Sequence, residues 1–262
     1  MTHPELESAR LKLNRAREHI EGLKTEQERW AKDHPQPFAW RLQDDVEPDR
    51  ILGLISQMDD PPGFMSTIVG DIVHNLRSSL DHITWQLVQH GTCTSLKPSD
   101  ETQIQLPIYN TLPEFDANRK RRLPGVLDVQ ETIVRRYQPY QRGVAAADHP
   151  FAILEVLSNT DKHRNIHLTF WCASKAAFEV TYQPVGCLIK EMVPLLNLHD
   201  PLKIDAPLFF VRAADRTLCR GMKVEAKLTY QIAFQDGVWV HDRVSHIAQL
   251  ASDLLAEIDG VL

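Results

Sequence analysis

Two long stretches of the chain carry apolar residues at alternating steps of three and four. In the first, Leu6, Ala9, Leu13, Ala16, Ile20, Leu23 and Trp30 share a heptad seam, with Glu, Lys and Arg at most other positions and only Gln27 breaking the stripe. This spacing predicts one helix over residues 4–33. In the second, Val69, Val73, Leu76, Leu80, Ile83 and Leu87 repeat the pattern and predict a helix over residues 66–90. Two such seams can bury each other, so we expect an antiparallel helix pair, with a second copy of the chain as the competing partner.

Between these helices Phe38, Trp40 and Leu42 alternate with polar or small residues. VEPD then supplies a turn, and Ile51 to Ile55 returns as an apolar run. We read a hairpin at about residues 36–60, ended by Pro61 and Pro62, which open the second helix. Residues 91–126 are irregular, punctuated by Pro107, Pro113, Pro124 and Gly125, with a short helix near 113–121. Two further helices follow. Val126 to Tyr137 ends at Gln138-Pro139, and Asp148 to about His163 has Asp148 as its expected N-cap and Pro150 in its first turn.

From Ile166 the period becomes two. His167 to Cys172, Phe178 to Tyr182, Leu208 to Val211 and the alternating run Val224, Ala226, Leu228, Tyr230, Ile232, Phe234 predict antiparallel strands with one wet and one dry face. After Asp236-Gly237, Val244, Ile247, Ala251, Leu254 and Ile258 form a last helical seam. The expected fold class is α+β, a mainly helical bundle of about five helices with an inserted small antiparallel sheet. Its parts are a bundle with the hairpin over 1–165, a sheet region over 166–237, and a C-terminal helix over 238–262 that packs back on the bundle.

Composition narrows the function. The chain has 262 residues and a formal net charge of -6, which disfavours coating nucleic acid through bulk charge. A local exception runs from Arg119 to Arg142, where Arg119, Lys120, Arg121, Arg122, Arg135, Arg136 and Arg142 face only Asp128 and Glu131 in sequence. That stretch is either a phosphate-facing surface or a solvated face paired with acids elsewhere. No apolar run follows a basic start at the N-terminus, and no segment has the length of a membrane helix, so we expect a cytoplasmic protein without membrane contact. Cys93, Cys172, Cys187 and Cys219 include no C-x-x-C pair, so neither a zinc ribbon nor a disulfide framework is expected, and Cys172 and Cys187 are read as small apolar packing residues. G-x-S-x-G, P-loop and G-x-G-x-x-G motifs are all missing, which disfavours the enzyme classes built on them.

The second helix also carries the densest polar chemistry. Asp71, His74, Asn75, Arg77, Ser78, Asp81 and His82 crowd into under four turns, and Arg77 with His82 forms an Arg-x4-His pattern. Arg29-x4-His34 fits the same spacing and Arg142-x6-His149 a looser one, but only Arg77 and His82 sit in a long amphipathic helix opposite its core stripe. This pattern resembles the active motif of the HEPN superfamily, helical bundles that include bacterial toxin and phage-defence ribonucleases. The resemblance implies a homodimer that cleaves RNA without metal or other cofactor. Arg77 would bind the scissile phosphate, His82 would act as general acid or base, and Asp81 would orient a histidine. Ser78 stands where many members of that family carry Asn, Asp or His. His74, Asn75, His163 and Arg164 would line the pocket, and Arg119 to Arg122 would steer the RNA backbone. HNLRSSLDHITWQL, taken with LSNTDKHR at 157–164, also resembles a widespread group of bacterial proteins of unassigned function.

Two other readings compete. His74 and Asp81 lie within a turn of Arg77, so the polar face is equally a hydrogen-bonded network that fixes helix register in a non-catalytic dimeric binding or structural protein, with a partner protein unnamed by the sequence. His163 and His167, four apart, together with His74 or His82 and Asp81 or Asp161, would instead suit a metal-dependent hydrolase. Trp85, one turn from His82, is read as a core or interface residue rather than a stacking platform.

Overall fold

The computed structural model describes residues 3–35, 37–91, 101–172, 177–196, 201–227 and 229–262. The chain is α+β, with six α-helices and eight antiparallel strands among the described residues. Its residues cluster into two compact units, each drawing on separate stretches of sequence.

The first unit comprises residues 1–25, 64–166 and 241–262. It takes the first part of α1 (Glu7–Asp33), nearly all of α2 (Gly63–Gly91), α3 (Leu112–Arg122), α4 (Asp128–Arg136), α5 (Pro150–His163) and nearly all of α6 (Val240–Asp259). The heptad seams make its core: Leu6, Ala9, Leu13, Ala16, Ile20 and Leu23 are buried, as are all six seam residues of α2. Gln27 falls just after Thr25, where α1 passes out of this unit, so the break in the stripe coincides with a change of packing partner. Ser79 donates to the Ala9 carbonyl at 2.9 Å and ties α2 to α1. Arg10 pairs with Asp259 at 2.6 Å, and Tyr137 donates to Glu257 at 2.8 Å, so α6 is held from two sides. Helix α5 runs along α2. Asp161 lies over Gly70, where any Cβ would collide with its carboxylate, and Glu155 meets Arg77.

Helix α5 begins differently from expectation. Its N-cap is His149, whose Nδ1 accepts from the Phe151 amide at 3.1 Å, while Asp148 closes the preceding 3-10 segment. The imidazole lone pair does the work usually done by a carboxylate or hydroxyl.

The second unit comprises residues 26–63 and 167–240. β1 (Phe38–Asp44) and β2 (Arg50–Met58) form the hairpin. They continue into β6 (Pro207–Ala213) and β5 (Ile189–Pro194), giving a four-stranded sheet of order β1-β2-β6-β5. β3 (Leu168–Cys172) pairs with β8 (Tyr230–Phe234), and β4 (Ala177–Tyr182) with β7 (Lys223–Lys227). The alternating run expected over 224–234 is therefore two strands with different partners; its Leu228 lies outside the described residues. Gly53 sits beneath Phe209, whose ring occupies the space a side chain would need. Trp30 stacks on both His34 and Phe170, and Tyr230 meets Phe170 edge-on.

The cysteine reading needs correction. Cys187 and Cys219 form a disulfide, with Cα atoms 4.8 Å apart and both residues buried. Cys187 therefore does not act as a free small apolar residue; it fixes the turn before β5 to the 3-10 segment Arg216–Cys219. Cys93, the irregular stretch over 92–100 and the Cys172 side chain lie outside the described residues.

Candidate functional site

Gly70, His74, Arg77 and Asp81 recur at helical spacing and make a second stripe on α2, distinct from its apolar seam. Arg77 is only 7 % exposed. Its Nη2 donates to the Leu106 carbonyl at 3.0 Å and lies 3.3 Å from Asp81 Oδ1, while Nη1 stands 2.9 Å from Glu155 of α5. Nη1 is not aligned as a hydrogen-bond donor, so the Glu155 contact is an electrostatic one. Asp81 Oδ1 also accepts from the Leu106 amide at 3.0 Å. Arg77 and Asp81, one turn apart, thus grip the C=O and N–H of a single buried residue that belongs to no helix or strand.

The electrostatics of this clasp are unbalanced, with two carboxylates facing one guanidinium. Burial pushes the Asp81 carboxyl above its ordinary value and Glu155 adds to the effect, while Arg77 and the Leu106 amide act against it.

His82 faces other neighbours. Five residues of helix turn it about 140° around the axis from Arg77, and its Nδ1 lies 2.6 Å from Ser8 Oγ of α1. Ser8, Asp81, His82, Trp85, Gln86 and Ile104 line a cleft of about 450 Å³. Asp81 is the residue shared by the clasp and the cleft; Arg77 does not line the cleft. Trp85 is half-buried and forms part of the cleft wall.

The other expected site residues are distributed as follows. His74 is exposed on α2, and Asn75 is buried with Nδ2 donating to the Asp71 carbonyl at 2.8 Å. His163 and Arg164 are exposed where α5 ends. Arg119 bonds both oxygens of Glu131, Arg121 bonds Asn118 at 2.8 Å, and Arg122 donates to the Gln103 carbonyl at 2.9 Å; Lys120 is exposed. Arg135 bonds Glu131 and Asp116 and lies over the Phe115 ring. Most of this basic run is thus occupied by partners within α3, α4 and the loop before them. The metal arrangement does not assemble: α5 ends at His163 and His167 precedes β3, and among the described residues no three His, Cys, Asp or Glu side chains converge to hold an ion.

Sequence reasoning missed Leu106, Glu155 and Ser8. Leu106 contributes only backbone, which leaves no signature in a sequence, and Glu155 and Ser8 resemble any polar position on a helix. No family model, curated protein or solved structure matches this chain.

Proposed function

We propose that this is a non-catalytic binding or structural protein in which the polar face of α2 is a clasp that fixes the loop around Leu106 and the register of α5. The supporting observation is the state of Arg77. Its guanidinium is buried and engaged by Leu106, Asp81 and Glu155, which leaves no open fork for a phosphate. Arg77→Ala should then cost stability, read as a lowered denaturant midpoint, with no RNA-cleaving activity to lose. A variant as stable as the parent would overturn this reading. We retain a homodimer as part of the proposal, to be checked by light scattering.

A second reading is the metal-independent, HEPN-like endoribonuclease of toxin or phage-defence type. The observation in its favour is that His82, with Asp81 beside it, lines an open cleft. RNA incubated with the parent protein and with His82→Ala, each with and without EDTA, separates the two readings. EDTA-resistant cleavage that disappears in His82→Ala would replace the structural reading with the nuclease one.

No helix among the described residues is long and apolar enough to cross a membrane. We place the protein in the cytoplasm as part of the proposal, although the Cys187–Cys219 disulfide favours an oxidising compartment. Thiol alkylation in intact cells tests the placement. Alkylation of Cys187 and Cys219 would support the cytoplasm, and retention in cells of the disulfide that the structure shows would argue against it.

A further inference from the structure

We propose that the cleft beside the clasp binds a small organic cation, an ammonium group held between Asp81 and Trp85. The first argument is charge. Arg77 serves two carboxylates, so the clasp holds one negative charge in excess, and the carboxylate that reaches the cleft is Asp81. Among the described residues no lysine or arginine lines the cleft, and its other polar side chains are Ser8, His82 and Gln86. An anion entering this space would meet Asp81, whose one cation, Arg77, is shared with Glu155 and does not line the cleft. A cation would restore the solvation that burial removes from the carboxylate.

The second argument is the ring one turn along α2 from Asp81. Tryptophan is the side chain whose ring face best attracts an ammonium group, and Trp85 is half-buried in the cleft rather than enclosed in the core. Ile104 supplies an apolar surface for the ligand's carbon body, and the volume of about 450 Å³ suits a small molecule. The Ser8–His82 contact at 2.6 Å braces the α1 side of the opening. The inference rests on reading Arg77 as a structural cation. A catalytic Arg77 would require the neighbouring space to accept a phosphate.

Isothermal titration with cadaverine and with choline, using inorganic phosphate as the oppositely charged control, tests the proposal. Saturable one-to-one binding of at least one cation is expected, with no binding of phosphate. Trp85→Leu, which leaves the clasp untouched, and Asp81→Asn, whose amide oxygen can still accept from Leu106, should each weaken binding by about tenfold or more. Absence of saturable binding by either cation, cation binding equal in Trp85→Leu, or binding of phosphate instead would each overturn it. These outcomes are independent of the RNA assay: a cation that fails to bind while Arg77→Ala remains destabilising removes the ligand and leaves the clasp. Cleavage lost in His82→Ala removes the structural reading itself.

Discussion

The two units each concentrate arginines and carboxylates, but in opposite settings. In the first, a buried Arg77 beside Leu106 is met by Asp81 and Glu155, whose side chains are only partly enclosed. In the second, Asp44, Asp45, Glu47 and Asp49 at the hairpin tip meet Arg50, Arg212, Arg216 and Arg220 in a wider network. Most members of that network remain solvent-accessible, and Arg50 also lies over the Phe210 ring at 4.2 Å. Buried charges are costly unless fully partnered, whereas exposed pairs exchange water for one another at little net gain. The inner cluster should therefore be sensitive to single substitutions, and the outer one tolerant of them.

The largest expected effect comes from the inner cluster. Arg77→Ala leaves the buried Leu106 carbonyl without its donor and Asp81 and Glu155 without their cation, and should cost roughly 3 kcal/mol in equilibrium unfolding, the low end for a buried pair because both carboxylates keep some water. A loss below about 1 kcal/mol would place Arg77 with the surface pairs and erase the contrast. Covalent constraint comes next. In the second unit the disulfide joins residues separated by 32 positions, and chain-entropy scaling gives about 3.7 kcal/mol for such a closure. Cys187→Ser combined with Cys219→Ser should lower the thermal midpoint by the corresponding amount, and dithiothreitol should do the same to the parent but not to the double variant.

His149 extends the contrast to pH. Burial first, then Arg142 and His246, lower its pKa from the ordinary 6.5 to about 4. Between those values the unfolded chain takes up a proton that the folded N-cap refuses, because Nδ1 is accepting from Phe151. The stabilisation is thus fully present above pH 6.5, declines as pH falls, and is lost below pH 4. It amounts to at most about 3.4 kcal/mol. His149→Asn keeps a capping acceptor and should flatten this part of the stability profile; an unchanged slope would sink the assignment. The smallest effect belongs to Arg220, whose side chain is 68 % exposed in its pair with Asp44. Arg220→Ala should change stability by no more than about 0.5 kcal/mol, a difference that 0.5 M salt should abolish.

Periodicity made the helical part of the molecule readable. Every seam position named on α2, and every one on α1 except Trp30, is buried. Trp30 departs because it lies beyond Thr25 and stacks with His34 and Phe170 in the second unit. The sheet was less legible: alternation marks a strand but not its partner, so β7 and β8 read as one run, and β5 had no clear pattern. The pairing of Cys187 with Cys219 depends on the turn before β5 meeting a 3-10 segment, a contact that no spacing rule encodes. At the site, the Arg77–Asp81 relation followed from helical spacing. What each group holds did not, because Leu106 takes part through its peptide atoms and Glu155 lies on another helix, 78 positions after Arg77.

Leu106 lies in a stretch without regular secondary structure, yet its amide is buried behind Asp81 and its carbonyl behind Arg77. In heavy water this amide should retain its proton as long as the interior of α2 does, while the neighbouring loop amides exchange early. Its lifetime would then report the opening of the clasp from a single backbone resonance.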